Sequence, residues 1–244
     1  MSFELVDNLF QVVVLFGAAV AAAILSLRRK ERGCLILAFG YACFAMGTLF
    51  YVLYLTIMGT VPQVFYVSEI SWLAAYLFFL SLQIVRTEEL PMGFQWPAAL
   101  YALVLGVSVL VIRIFGPSWL VCVPFALTVG GNAYLSGCHL REKADGRWLD
   151  ACMLTALTLQ VALYPISGAM TQFTHFNLYF AVDLTLTTSL VALLQEKAFS
   201  DITPAQICEK AGIKKCVLAV CNLEYPAFEA WAKENAQVGG QAVL

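Results

Sequence analysis

The sequence predicts an all-α membrane protein, a bundle of seven transmembrane helices followed by a short tail. Three observations carry this prediction. The chain is 61% hydrophobic and only 12% charged, where soluble domains carry about 25% charged residues. It contains apolar stretches near 7–27, 35–58, 64–85, 96–115, 118–139, 149–170 and 177–195, each close to the roughly 20 residues that a helix needs to cross a hydrocarbon core. Its basic residues fall on alternate connections.

Polar and helix-breaking residues punctuate the stretches in order. Arg28-Arg29-Lys30-Glu31-Arg32-Gly33 ends the first and Gly59-Thr60-Val61-Pro62 the second. Arg86-Thr87-Glu88-Glu89-Leu90-Pro91 ends the third, and Gly116-Pro117-Ser118 turns the chain after the fourth. His139 to Arg147 reads as a polar loop after the fifth. Short connections of this kind make chain neighbours antiparallel. Trp96, Trp119 and Trp148 at span ends read as interfacial anchors. Pro124 and Pro165 lie inside spans, where neighbouring helices can satisfy the carbonyls that a proline frees.

Lysine and arginine set the direction. Arg28, Arg29, Lys30, Arg32, Arg86, Arg141, Lys143 and Arg147 follow spans one, three and five, whereas the other side carries Arg113. The expected topology has the N-terminus outside and the C-terminus cytosolic, in a multi-pass protein of the cell membrane. The expected division is a bundle over 1–199 and a partly helical cytosolic tail over 200–244. Within the tail, Ile202 to Ala211 and Tyr225 to Ala236 are candidate amphipathic helices. The lipid bilayer is the first partner, and the tail is the natural contact for a cytosolic signalling protein. The sequence leaves a homo-oligomer open. A net charge of -2 gives no case for nucleic acid. The N-terminus has no basic region of the signal-peptide kind.

Cys34, Cys43, Cys122, Cys138 and Cys152 lie in or beside apolar helices, where cysteine acts as a small hydrophobe. Cys208, Cys216 and Cys221 in the tail show no CxxC and no nearby histidine. No metal site is expected. HExxH and GxSxG are both missing, so an enzyme is not expected either.

Ionisable residues at membrane depth are costly and usually functional. Glu69 enters span three, and Asp183 enters span seven from the same side. Near their level lie Asp7, Asn8, Gln11, Gln160, Tyr164, Ser167, Gln172, His175, Asn177 and Tyr179. Together they suggest a polar cavity open to the outside. The plainer alternative is hydrogen bonding between helices, worth about 0.6–2 kcal/mol per contact. Tyr164 is the expected hydrogen-bond partner of Asp183.

Leu178-Tyr179-Phe180-Ala181-Val182-Asp183-Leu184, the Tyr164-Pro165 pair, Trp72 and the run Leu49 to Thr56 together give the chain a likeness to a known family: it resembles the microbial rhodopsins. The resemblance is spread over spans two to seven. It implies an opsin fold, a counterion-type role for Asp183, and a ligand pocket lined by Trp72, Tyr164 and Pro165, near Glu69 and Thr187. The departures are specific. Thr187 stands where the family binds retinal through a lysine, and no lysine lies inside any of the seven stretches. Ser71 replaces the proton acceptor, Ser68 the arginine, Leu82 the proton donor and Val161 a pocket tryptophan. Covalent retinal and proton pumping are therefore not expected. The expectation is an opsin-like sensor or signalling protein that binds a small or lipid-borne ligand without a cofactor. The alternative is a small-molecule transporter of the seven-helix SWEET or PQ-loop type, for which Pro62-Gln63 is the one local sign. That architecture is built on repeats, and no second copy is evident. A structural or assembly role is a further alternative.

Overall fold

A computed structural model describes residues 3–59, 66–87, 93–112, 119–141, 146–170 and 173–199. They form seven α-helices: α1 (Phe3–Arg29), α2 (Arg32–Met58), α3 (Tyr66–Thr87), α4 (Trp96–Ile112), α5 (Trp119–Arg141), α6 (Arg147–Ala169) and α7 (Leu178–Phe199). The chain divides into one compact unit over Met1–Ala198 and a second over Phe199–Leu244. The expected tail helices lie outside the described residues.

The helix ends follow from local chemistry. Lys30, at φ 53°, turns the chain between α1 and α2, and the Ser26 hydroxyl donates to the Glu31 carbonyl across the same corner at 3.1 Å. Gly59, at φ 68°, closes α2 by donating its N–H to the Leu55 carbonyl, a left-handed cap that suits glycine. Asn177 begins α7: its side-chain oxygen accepts from the N–H groups of Tyr179 and Phe180 at 2.9 and 3.4 Å. One expectation is corrected here. His139 is not in a polar loop but is fully buried in the last turn of α5, and Arg147 already opens α6.

Pairings between helices give the up-and-down order. Glu4 meets Tyr51 and Gln11 meets Thr48 across α1 and α2, an antiparallel register. Ser68 donates to the Gly47 carbonyl at 2.9 Å, binding α3 to α2 in the same sense. Phe3 meets Phe180, and Gln11 reaches Asp183 and Thr187, so α1 and α7 run parallel and the first helix packs against the last. Helix α5 packs against α3, α4 and α6, while α4 also meets α6. Gly40 lies against the Phe79 ring, where an added Cβ would stand 2.6 Å from the ring edge. That approach is what lets α2 and α3 close on each other.

The core of the bundle is aromatic. Tyr76 sits edge-on to Phe79 and Phe125, with ring centroids 5.7 and 5.4 Å away. Buried tyrosine hydroxyls need partners. Tyr41 donates to the Leu190 carbonyl at 2.7 Å, and Tyr76 to the Gln160 side-chain oxygen at 3.0 Å. The outer surface is apolar, with Leu27, Val111 and Leu120 among its exposed side chains. Hydroxyls on the outer faces mostly bond their own helix one turn back, as Ser81 does to Leu77, Ser108 to Val104 and Thr155 to Ala151. That habit satisfies a hydroxyl without water, whereas buried hydroxyls such as Thr48, Ser68, Ser136 and Thr187 bond between helices.

Helices α1, α2, α3, α5 and α6 are long and apolar enough to cross a membrane, and α4 and the Leu178–Leu194 part of α7 are shorter apolar helices. The chain is a membrane-embedded, multi-pass helical protein. Arg28 and Arg29 in α1, Arg86 in α3, Arg141 in α5 and Arg147 in α6 collect at one end of the bundle, here the basic end.

Candidate functional site

At the end opposite the basic residues, α1, α2, α3, α6 and α7 enclose a cavity of about 380 Å³. Helix α1 contributes Glu4, Asn8 and Gln11, α2 contributes Phe44 and Tyr51, and α3 contributes Glu69 and Trp72. The α6 side supplies Gln160, Leu163, Tyr164 and Ser167, and Phe173, Tyr179, Asp183 and Leu186 complete the wall. None of these residues is lysine, arginine or histidine.

Gln11 is the hub of the floor. Its side-chain N–H groups donate to Asp183 Oδ1 at 3.2 Å and Thr187 Oγ1 at 2.9 Å, and its Oε1 accepts from Thr48 at 2.8 Å. The Trp72 indole N–H points to Thr48 Oγ1 at 3.4 Å. Five side chains from four helices thus form one chain of hydrogen bonds. Asp7, one turn before Gln11, brings its carboxyl into hydrogen-bonding contact with that of Asp183. At the rim, Tyr51 donates to Glu4 Oε1 at 2.5 Å. Glu69 is 7% exposed, and its Oε2 accepts no hydrogen bond from the described residues. Asp7 Oδ2 accepts none either.

The structure gathers most of the residues expected from the sequence. Glu69, Trp72, Tyr164 and Asp183 share the cavity wall. Thr187 is buried beneath it, held by Gln11. Pro165 is exposed on α6 and does not line the cavity. The partner of Asp183 is also corrected: Gln11 of α1 donates to Asp183, the Asp7 carboxyl lies against it, and Tyr164 bonds Gln160 within its own helix. His175 is exposed, and Gln172 lies outside the described residues.

A second polar centre was not anticipated. At the basic end, Arg86 of α3 grips Asp150 of α6 through two hydrogen bonds, 2.6 and 2.9 Å long. His139 Nδ1 faces Asp150 Oδ1 at 3.3 Å and Gln83 Oε1 at 3.1 Å. Both are acceptors, which places a hydrogen on that ring nitrogen. Its Nε2 faces the Thr87 hydroxyl at 3.2 Å, and Gln83 donates to Ser136 at 2.8 Å. Gln83, Ser136, His139 and Asp150 are all fully buried. Asn132 stands between the two centres and donates to the Tyr76 carbonyl at 3.1 Å.

Among the described residues no three His, Cys, Asp or Glu side chains are placed to hold a metal ion. The cavity is suited to binding: it joins apolar rings to a few fixed polar groups, the usual make-up of a small-molecule site. No family model, no characterised protein and no solved structure matches the chain.

Proposed function

We propose that this chain is a seven-transmembrane sensor or signalling protein of opsin-like architecture, holding a small or lipid-borne ligand non-covalently in the cavity between α1, α2, α3, α6 and α7. Its N-terminus lies outside the cell, and its tail meets a cytosolic partner. The observation that carries this reading is the cavity itself. Glu69, Trp72, Tyr164 and Asp183 come together there from three helices, at the end opposite the basic residues. Its volume of about 380 Å³ lies within the range of about 300–1,000 Å³ usual for ligand sites. Thr187 is engaged by Gln11 and offers no amine, which supports a ligand that is not covalently bound.

The test is a thermal-stability screen of the full chain in lipid nanodiscs against small neutral, anionic and cationic aromatic compounds. At least one should stabilise the protein, and Trp72→Phe or Asp183→Asn should remove that effect while circular dichroism stays native. Stabilisation that both variants retain would place the ligand elsewhere and sink the reading.

Transport has one observation in its favour. The Arg86–Asp150 pair closes the bundle at the end away from the cavity, where an alternating-access carrier needs a gate. Uptake of a cavity ligand into proteoliposomes would choose transport over signalling.

A further inference from the structure

Resting on the reading of the cavity as a ligand site, we propose that its ligand is an organic cation: an amine whose ammonium head lies between Glu69 and Asp183 and whose apolar body lies against Trp72, Phe44 and Tyr164.

The argument starts from charge. Glu4, Glu69 and Asp183 all face the cavity, with Asp7 against Asp183, and among the described residues no basic side chain lines it. Carboxylates in a low-dielectric site repel one another unless a proton or a cation compensates them. Glu4 has the Tyr51 hydroxyl, and Asp183 has the Gln11 amide and the hydrogen bond it shares with Asp7. Glu69 is different: it lines the cavity while more than nine-tenths buried, and its Oε2, closed off within the wall, accepts no hydrogen bond from the described residues. A buried acceptor left in that state is costly, and a donor arriving in the cavity would satisfy it.

The shape of the site then selects the cation. A metal ion needs several ligands converging on one point, and no three acidic, histidine or cysteine side chains do so among the described residues. Spread carboxylates suit an extended molecule instead. A proton alone would neutralise a carboxyl but would make no use of the rings. Aromatic faces attract ammonium groups, most strongly where water is excluded, and Trp72 offers the strongest such face.

The probes are benzyltrimethylammonium and phenethylammonium, each titrated against the full chain in nanodiscs and followed by tryptophan emission. Their uncharged and anionic counterparts are neopentylbenzene and 3-phenylpropionate. Phenethylammonium, whose N–H groups can donate to Glu69, should bind at least about tenfold more tightly than either counterpart, and benzyltrimethylammonium, which has no N–H, should outbind both counterparts through its charge and the rings alone. Glu69→Gln and Asp183→Asn should each weaken the cations by about tenfold and leave neopentylbenzene unchanged. Equal or tighter binding of the neutral or anionic compound, lost in Trp72→Phe, would overturn the cation assignment and leave the cavity as a ligand site. Absence of binding by all four compounds would count against both readings. Calcium that shifts the emission where neither ammonium compound does would overturn the assignment in favour of a metal. If Glu69→Gln fails to fold, the comparison of the four probes on the unmodified protein still decides.

Discussion

Arg86 and Asp150 meet in a two-pronged ion pair, 2.6 and 2.9 Å long, with the aspartate fully buried and the arginine 12% exposed. Planar guanidinium and carboxylate groups match in this geometry. His139 and Gln83 occupy the remaining positions around it, so the pair ties α3, α5 and α6 together at the basic end.

Removing one partner strands the other. Asp150→Ala or Arg86→Ala should destabilise the bundle by about 3–5 kcal/mol, the usual cost of a buried charge left unpaired. The double replacement Arg86→Met with Asp150→Leu should cost clearly less than either single change. Thermal or denaturant unfolding in mixed micelles measures this. A double variant that loses as much as the two singles added together would mean that the charges are not energetically coupled.

Gln11 offers a sharper test of the cavity floor. Gln11→Leu removes three hydrogen bonds at once, to Thr48, Asp183 and Thr187, each worth about 0.6–2 kcal/mol in a membrane bundle. Asp183→Asn keeps an oxygen that can accept from Gln11. The leucine variant should therefore lose markedly more stability than the asparagine variant. The reverse order would show that Gln11 is not the hub.

Retinal chemistry gives a negative prediction and a positive one. A Schiff base needs an amine, so the native chain mixed with all-trans retinal should yield no borohydride-trapped adduct inside the bundle. Thr187→Lys places an amine one turn beyond Asp183, on the face that meets Gln11. With an opsin-like register, that variant should gain a visible absorption band. A Thr187→Lys protein that folds and stays colourless would count against the register.

The direction of insertion is open to labelling. His175 precedes α7 at the cavity end, and Arg147 opens α6 at the basic end; both are exposed. In intact cells a membrane-impermeant maleimide should modify His175→Cys, and Arg147→Cys only after lysis, each judged against the native cysteines alone. Equal labelling of the two in intact cells would rule out the proposed topology.

What the sequence revealed depended on how far apart the interacting residues stand. The breaks near Arg28, Gly59 and Arg86 mark real helix ends, because a change from apolar to charged or glycine-rich sequence is a local signal. The gathering of Glu69, Trp72, Tyr164 and Asp183 also followed from depth within each span. The hub did not. Gln11 and Asp183 lie at opposite ends of the chain, and only packing of the first helix on the last brings them together. His139 and Asp150 flank a polar connection and so resemble solvated loop residues. Their partner, Arg86, is remote in sequence, and nothing local announces that His139 and Asp150 become buried against it.

Helix α3 carries Glu69 and Trp72 at one end and Arg86 at the other, and its sequence from Tyr66 to Thr87 contains neither glycine nor proline. Sharp kinks in helices arise almost always at such residues or at inserted turns. α5 and α6, by contrast, each hold an internal proline. At about 1.5 Å of rise per residue, Glu69 and Arg86 stand roughly 25 Å apart on this one shaft. Mechanically, α3 is a stiff member of the assembly, a trait it shares with α7. A twist or axial slip imposed where it borders the cavity meets no glycine or proline joint before the clasp between Arg86 and Asp150.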